Sequence, residues 1–114
     1  MDNRESVKAL VDGIVSGRII ETFDRLYADD VVMSENGQQE WAGKAVNRKR
    51  EQEFASGVTF HGATPGAVIV DGDRSAYEMT LDFTPKGGKR VVQKQAAVQT
   101  WRNGKIVREV FYHA

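Results

Sequence analysis

The sequence predicts one α+β domain, with helices in its first half and an antiparallel sheet in its second. Apolar residues recur at helical spacing between positions 7 and 27, and they alternate with polar residues at positions 77–83. Turn signals then divide the remaining sequence at regular intervals. Helices that precede an antiparallel sheet in this way cover one of its faces. At 114 residues the chain is long enough for one core, so we expect a single domain, 1–114.

The first half begins with two predicted helices. An amphipathic helix is indicated by apolar residues at i, i+3, i+4, i+7 and i+8, and Gly17 would end it. These residues are Val7, Leu10, Val11, Ile14 and Val15. A second, short helix would carry Ile19, Ile20, Phe23, Leu26 and Tyr27. A strand over 31–35, a polar loop and a helix over about 43–56 follow.

This strand and the helix after it carry polar residues where apolar ones are expected. Side chains alternate along a strand, so Met33 and Glu35 share a face. In the helix, the stripe that should face the core contains Asn47, Arg50 and Phe54. Several polar groups that converge on one core predict either mutual pairing or a wet cavity.

The second half is predicted to consist of four antiparallel strands in a meander, over residues 58–113. The segment AYEMTLDF places Tyr77, Met79, Leu81 and Phe83 on one face. The turn segments VDGDR, TPKGGK and RNGK contain the Gly and Asn residues that tight hairpins require. A Gly/Pro interruption, HGATPG, falls in the first of these strands.

The last two strands carry apolar residues on both faces. Ala97 and Trp101 lie on one face, whereas Val92 and Val98 lie on the other, with Tyr112 beside them on the final strand. Apolar residues on both faces indicate that both faces are covered. The helices cover only one, so we expect a homodimer formed through the outer sheet face.

Composition excludes several classes of function. Lys+Arg and Asp+Glu both number 16, which gives no electrostatic basis for binding nucleic acid or an anionic membrane. The chain has no cysteine, and phosphate-loop, dinucleotide and HxxxH metal signatures are absent. Its first ten residues are polar and unlike a signal peptide. We therefore expect a cytoplasmic protein without cofactor or metal.

Three segments carry a resemblance to a known family: LYADDVVMSENG (26–37), GKAVNRKREQEF (43–54) and VQTWRNGKIVREVFYH (98–113). Together with the element order, they resemble the nuclear-transport-factor-two-like superfamily, in its branch of SnoaL-like and ketosteroid-isomerase-like proteins. The resemblance implies a cone-shaped, strongly curved antiparallel sheet wrapped around the N-terminal helices, with a central apolar pocket. This fold hosts isomerases, cyclases, dehydratases and non-catalytic binding modules.

The resemblance also bears on individual residues. In ketosteroid isomerases a catalytic carboxylate follows the ADD motif by five residues, which corresponds to Glu35 here. The two oxyanion donors of those enzymes align with Ala97 and approximately Leu10, neither of which donates a side-chain hydrogen bond. The resemblance thus implies the pocket and its carboxylate without steroid isomerisation.

The residue pattern and the family resemblance together define a candidate site. We expect Glu35 to act as general acid or base, and Arg50 and Asn47 to stabilise negative charge on a ligand oxygen. The expected ligand-binding residues are Met33, Trp41, Glu51, Tyr77, Met79, Phe83, Gln95, Gln99, Trp101, Glu109, Phe111 and His113. The predicted function is binding of a small apolar molecule that bears a carbonyl group, with cofactor-free isomerase, cyclase or dehydratase chemistry.

Each polar residue also has a structural interpretation. Glu35 can turn outward at the strand end, and Arg50 can belong to the solvated charge run RKRE. Glu109 is either a second pocket carboxylate or the ion-pair partner of Arg50, and His113 lies where chains fray. The alternative function is therefore a non-catalytic ligand-binding or dimeric association module in which Glu35, Arg50 and Glu109 form a buried network.

Overall fold

The computed structural model describes residues 2–114, which form three helices and one six-stranded sheet. The helices are α1 (Asn3–Val15), α2 (Ile19–Leu26) and α3 (Lys44–Gly57). The strands are β1 (Tyr27–Glu35), β2 (Gln39–Ala42), β3 (Val58–Asp71), β4 (Arg74–Pro85), β5 (Val91–Arg102) and β6 (Lys105–His113). The sheet order is β2-β1-β6-β5-β4-β3, with β3 to β6 as an antiparallel meander. The predicted α+β class is confirmed.

The two N-terminal helices form where the apolar spacing predicts them. Asp2 caps α1 by accepting a hydrogen bond from the Glu5 backbone N–H at 2.9 Å, and Gly17 turns the chain toward α2 with φ 77°. Val7, Leu10 and Phe23 from these helices are buried. Their burial against the sheet forms the core of the domain and leaves the far end of the concave face to α3.

The strand β1 differs from its predicted extent and is joined by an unpredicted neighbour. It begins at Tyr27, which the sequence assigns to the second helix, and the expected polar loop contains β2. The prediction of a loop is wrong because β2 is an edge strand. Its backbone pairs with β1, as in Met33 opposite Trp41, so its side chains need not be apolar. Asn36 and Gly37, with φ 53° and 67°, form the tight turn between the two strands.

One parallel pairing joins the two halves of the chain. Strand β1 lies parallel to β6, with Glu35 opposite Phe111, although the sequence predicted only antiparallel pairing. This pairing brings the ends of β1 and β6 to the same edge of the concave face. Register shifts in β3, at Phe60/Gly62 and Pro65/Val68, coincide with the predicted HGATPG interruption and help the sheet to curve.

The outer face of the sheet is exposed and partly apolar. Ile69, Val92 and Tyr112 are 62%, 63% and 48% exposed. The homodimer through this face stays a prediction. Within residues 2–114, no helix has the length and apolar character needed to cross a bilayer.

Candidate functional site

A cavity of about 220 Å³ opens on the concave face, between α3 and the sheet. Its wall combines charged groups with aromatic and aliphatic side chains. The lining residues are Glu35, Arg50, Glu51, Phe54, Leu81, Phe83, Gln93, Gln95, Phe111 and His113. We call this cavity the outer chamber. Its mixed lining is that of a site that orients a small organic molecule by a few polar contacts.

Glu35 stands at the end of β1 and contacts two basic side chains. Its Oε2 lies 2.7 Å from His113 Nε2, and its Oε1 lies 3.7 Å from Arg50 Nη2. The parallel pairing brings His113 there: Asn36 N–H donates to the Phe111 carbonyl at 2.7 Å, and Asn36 Oδ1 accepts from His113 N–H at 3.0 Å. A hydrogen bond with the Ala114 backbone, and then the one with Glu35, raises the pKa of His113.

Arg50 is held in place by its neighbours on α3 and β2. Its guanidinium carbon lies 3.4 Å from the centroid of the Trp41 ring. Its Nη1 donates a hydrogen bond to Asn47 Oδ1 at 2.9 Å. The Asn47 Nδ2 in turn donates to the backbone carbonyls of Trp41 and Gly43, each at 2.9 Å. Asn47 is fully buried and makes all these bonds at once, so it positions Arg50 and does not face the cavity.

Glu51 differs from the other charged residues of the outer chamber. Among residues 2–114 it has no hydrogen-bond or ion-pair partner. Burial raises the pKa of Glu51 to about 7; the charge of Arg50 opposes this shift and the charge of Glu35 adds to it. A carboxyl group with such a pKa exchanges protons readily near neutral pH.

A second cavity of about 80 Å³ adjoins the outer chamber, and we call it the inner chamber. The two share Glu51, Phe54, Leu81, Gln95 and Phe111 in their walls. The remaining lining of the inner chamber is mostly apolar and comes from the first helices and from β1 and β4. These residues are Leu10, Ile14, Ile19, Thr22, Phe23, Tyr27 and Tyr77. The lining therefore changes from partly charged in the outer chamber to mostly apolar in the inner chamber, and Glu51 and Gln95 lie at the boundary between the two.

A separate set of polar side chains is buried deeper in the sheet. Trp101 Nε1 donates to Ser75 Oγ at 2.8 Å, and Ser75 Oγ donates to Gln99 Oε1 at 2.6 Å. Gln99 Nε2 donates to Glu109 Oε2 at 2.7 Å, and the Tyr27 hydroxyl donates to Glu109 Oε1. We call these five residues the closed network. Burial raises the pKa of Glu109 to about 7, although the hydrogen bonds from Tyr27 and Gln99 lower it.

The sequence-based interpretation of Glu109 as a partner of Arg50 is wrong. Arg50 contacts Glu35, Asn47 and Trp41, whereas Glu109 is satisfied by the closed network. The buried Glu35–Arg50–Glu109 network of the alternative function does not form. Alternation along β6 predicts which face Glu109 occupies, but it does not predict how deep in the cone that position lies.

Comparison with known proteins identifies the family. The family profile of the SnoaL-like domain matches residues 7–109, which is most of the chain. The chain belongs to the SnoaL-like domain family. No curated protein matches the sequence.

Solved structures of other proteins share the fold of this SnoaL-like domain. A Mesorhizobium loti protein assigned by likeness to the SnoaL-like polyketide cyclases is 28% identical, with a TM-score of 0.88 over 98% of this chain and 99% of that one. An epoxide hydrolase from M. tuberculosis is 20% identical, with a TM-score of 0.79 over 96% and 80%. A ketosteroid-isomerase-like protein from Catenulispora acidiphila, in complex with trimethylamine, is 14% identical, with a TM-score of 0.79 over 100% and 88%. The cone-shaped fold implied by the sequence is thereby confirmed.

The structure places the predicted site residues of the SnoaL-like domain in three groups. Around the outer chamber lie Glu35, Arg50, Glu51, Phe83, Gln95, Phe111 and His113, and Tyr77 lines the inner chamber. Neither chamber is lined by Met33, Trp41, Asn47, Met79, Gln99, Trp101 or Glu109. Of these, Trp41 and Asn47 support Arg50, and Gln99, Trp101 and Glu109 belong to the closed network. Within residues 2–114, no three His, Asp or Glu side chains are grouped to hold a metal ion.

Several lining residues were not in the predicted set. Phe54, Leu81 and Gln93 line the outer chamber. Leu81 and Gln93 follow from the same strand alternation that identified Tyr77 and Gln95, and Phe54 lies one helical turn beyond Arg50. The inner-chamber residues from α1 and α2 gave no such signal, because core-facing positions of an amphipathic helix look alike whether they meet a side chain or a cavity.

Proposed function

We propose that this SnoaL-like domain binds a small carbonyl compound with an apolar body and catalyses a cofactor-free proton transfer in which Glu35 moves the proton. One observation carries the proposal: the Glu35 carboxylate lies in the wall of an open cavity and contacts Arg50 and His113 there. Acid–base catalysis requires a carboxylate within reach of bound substrate, beside groups that stabilise the charge formed.

The chemistry starts with the substrate carbonyl oxygen near the guanidinium of Arg50 and the amide of Gln95. Glu35 removes a proton from the carbon next to the carbonyl, and the electron pair of that C–H bond forms an enolate. Arg50, held by Trp41 and Asn47, stabilises the enolate oxygen without having to reorganise. Return of the proton to a different carbon completes an isomerisation. Attack of the enolate carbon on a second carbonyl breaks the π bond of that C=O group, and the proton held by Glu35 passes to the alkoxide that forms, which completes a cyclisation.

The first step can be tested before the natural substrate is known. Benzylacetone has a ketone, exchangeable α-protons and one phenyl group, and it has no group that can be eliminated. Incubation in D₂O, followed by NMR, should show α-proton exchange catalysed by the protein. Glu35→Gln should reduce this exchange by about 10²–10⁴-fold, the usual contribution of a general base. Its melting temperature should be equal to or higher than that of the natural protein, since a charge in a catalytic cavity is often destabilising.

A matched control distinguishes catalysis from a general effect of losing a glutamate. Glu53→Gln changes an exposed residue of α3, the helix that carries Arg50, and should leave the exchange rate unchanged. Saturable binding of benzylacetone without exchange would contradict the enzymatic proposal and would support a non-catalytic binding module. A marked loss of stability in Glu35→Gln would identify the Glu35 contacts as structural.

We also propose that a second copy of the chain covers the outer sheet face. The exposed residues Ile69, Val92 and Tyr112 would be buried in such a homodimer. Val92→Lys should convert the dimer to a monomer in sedimentation velocity experiments, whereas Val46→Lys should not. Val46 is 49% exposed and lies on α3, away from that face, so it is the matched control. If the natural protein sediments as a monomer, this proposal is contradicted.

A further inference from the structure

We propose that Glu51 is the general acid of the site, that it protonates a departing hydroxyl group, and that the substrate is a β-hydroxy carbonyl compound with an apolar end. The reaction is then a dehydration. This inference rests on the proposed function, because it adds an acid to the base that Glu35 supplies. It is carried by the position of Glu51 between two chambers and by its carboxyl group having no hydrogen-bond or ion-pair partner within residues 2–114.

The position of Glu51 follows from helix geometry. It is the residue after Arg50 on α3, so its side chain leaves the helix about 100° around the axis from the guanidinium. Arg50 thereby faces Glu35 and the mouth, whereas Glu51 lines both the outer and the inner chamber. A ligand that extends from the mouth into the interior passes the Glu51 carboxyl group.

The two carboxyl groups of the cavity have different surroundings. Glu35 is engaged by Arg50 and His113, while Glu51 has no partner among residues 2–114. Glu51 is partly buried, so its carboxyl group has lost part of its hydration without gaining a protein partner, and a ligand hydrogen bond can replace what was lost. Two carboxyl groups in unlike environments are the arrangement by which one site supplies both an acid and a base. The pKa of Glu51, raised to about 7 by burial, keeps a substantial protonated fraction at neutral pH.

The inner chamber indicates which end of the ligand lies there. Its lining from Leu10, Ile14, Ile19 and Phe23 is apolar, so the apolar end of the substrate is stabilised in it by burial. Tyr77 also lines this chamber, and its hydroxyl has no hydrogen-bond partner within the described chain. Burial and the charges of Glu109 and Glu51 raise the pKa of Tyr77 far above its usual value, so the hydroxyl stays a donor. It can hold the leaving oxygen while Glu51 protonates it.

The reaction balances in atoms and electrons. Glu35 removes the α-proton, and the electron pair of the broken C–H bond forms the C=C bond. The C–O bond to the β-hydroxyl breaks, and its electron pair stays on the oxygen. Glu51 donates its proton to that oxygen, so water leaves. Glu35 ends protonated and Glu51 ends ionised, and proton exchange with solvent restores both. Arg50 stabilises the carbonyl oxygen throughout.

The test uses the aldol adduct of acetone and benzaldehyde, which is benzylacetone with a β-hydroxyl group. Its dehydration product, benzalacetone, absorbs in the near ultraviolet. The natural protein should form benzalacetone. Glu51→Gln, which cannot donate an acidic proton, should lower that rate by about 100-fold or more. Circular dichroism should show that this variant is folded, and its α-proton exchange of benzylacetone should fall much less than its dehydration rate, because only the dehydration requires the acid.

The pH profile gives a second readout that a purely structural role would not change. The dehydration rate of the natural protein should fall as pH rises through about 7, where Glu51 loses its proton. Glu51→Gln should lack this fall. Groups around Glu51 also contribute to the profile, so it is compared between variants and not assigned from one curve. These groups are Glu35, Arg50, His113, Glu109, Tyr27 and Tyr77.

The outcomes separate this inference from the proposed function. If benzylacetone exchanges in a Glu35-dependent way but the β-hydroxy ketone is not dehydrated, or is dehydrated equally by Glu51→Gln, the role of Glu51 is overturned and that of Glu35 stands. If neither compound reacts, the proposed function fails and the inference falls with it. Glu53→Gln again serves as the control, since it alters an exposed glutamate two residues away on the same helix.

Discussion

Two clusters of polar side chains lie within one small cone, and they differ in how fully their hydrogen bonds are made. In the closed network, a chain of donors runs from Trp101 through Ser75 and Gln99 to Glu109. Around the outer chamber, Glu35 and Arg50 have partners but Glu51 has none in the described chain. Burial raises the pKa of one glutamate in each cluster, Glu109 and Glu51, to about 7.

The comparison teaches that a raised pKa does not by itself identify a chemical site. The same desolvation acts on Glu109 and on Glu51, yet only Glu51 borders an open cavity. The two glutamates differ in whether hydrogen-bond donors of the protein itself contact the carboxyl group. Glu109 accepts two hydrogen bonds from protein groups, so a ligand would have to displace these, whereas a ligand can satisfy Glu51 directly. We call Glu35, Arg50, Glu51 and His113 the open cluster; it is expected to contribute to reactivity, and the closed network to stability.

The largest expected effect comes from breaking the closed network. Glu109→Ala leaves the Tyr27 hydroxyl and the Gln99 amide without an acceptor in a fully buried place. We expect the free energy of unfolding to fall by about 3 kcal/mol. Urea denaturation measures this, with Glu40→Ala as the control. Glu40 lies on the edge strand β2, and its ion pair with Arg108 is about half exposed, so its loss should cost under about 1 kcal/mol. An equal loss of unfolding free energy in Glu109→Ala and Glu40→Ala would contradict the structural role of the closed network.

The second prediction concerns pH. Glu109 has a pKa of about 7 in the folded protein and near 4.5 when unfolded, so the unfolded chain loses this proton first as pH rises. The contribution to stability is therefore complete below about pH 4.5, declines as pH rises to about 7 and is constant above that. A shift of this size corresponds to about 3 kcal/mol.

Glu109→Gln isolates this effect, because an amide keeps the shape of the side chain and does not titrate. Between pH 5 and pH 8, the free energy of unfolding should fall less in the variant than in the natural protein. Asp24, Asp30 and Asp82 have lowered pKa values owing to their hydrogen bonds with arginines, so they titrate below this window and do not obscure it. Parallel pH curves for variant and natural protein would refute the assignment.

A smaller effect is expected from changing Asn47, which holds Arg50 of the open cluster in position. Asn47→Ala removes the acceptor for Arg50 and the donor to the Trp41 and Gly43 carbonyls. Stability should fall by about 1–2 kcal/mol. α-Proton exchange of benzylacetone should fall by about tenfold, because Arg50 is no longer held in one orientation. Asn47→Asp, which keeps the acceptor for Arg50, should retain more exchange activity than Asn47→Ala. The opposite order would show that Asn47 does not act through Arg50.

The smallest effect is the titration of His113, which NMR follows directly. Its pKa lies above 6.5 because of hydrogen bonds with the Ala114 backbone and with Glu35. In Glu35→Gln the pKa of His113 should fall but stay above 6.5, because the hydrogen bond with the Ala114 backbone is the larger of the two causes and remains. An unchanged value would mean that the two side chains do not interact in solution. Because the folded pKa is raised, chiefly by the contact with the Ala114 backbone, protonated His113 stabilises the fold fully below pH 6.5 and progressively less above it.

Much of the fold was predictable because it depends on periodicity and turn residues. The helices, the meander and its hairpins follow from apolar spacing and from Gly and Asn positions. Strand β2 was not, since an edge strand is specified by backbone pairing with β1 rather than by its own side chains. Tyr27 was assigned to a helix because its spacing from Phe23 fits a helical stripe, and the two rings do stack, at 4.4 Å between centroids.

The candidate site was predictable in its outer part only. Glu35, Arg50 and His113 come together as alternation and the family resemblance imply. The roles of Asn47 and Glu109 depend on depth within the cone, which a period-two or 3.6-residue pattern does not encode. Glu51 was predicted to bind ligand, but its missing partner appears only when every neighbouring side chain is placed.

The parallel pairing of β1 with β6 also determines when this site can exist during synthesis. Glu35 and His113 are 78 residues apart, and β6, which carries His113, leaves the ribosome after strands β1 to β5. The helices and the hairpin of β3 and β4 can form earlier from nearby contacts. A nascent chain that ends before β6 would contain Glu35, Arg50 and Glu51 without the strand that aligns the first of them. The proposed site is thus complete only after β6 has paired with β1.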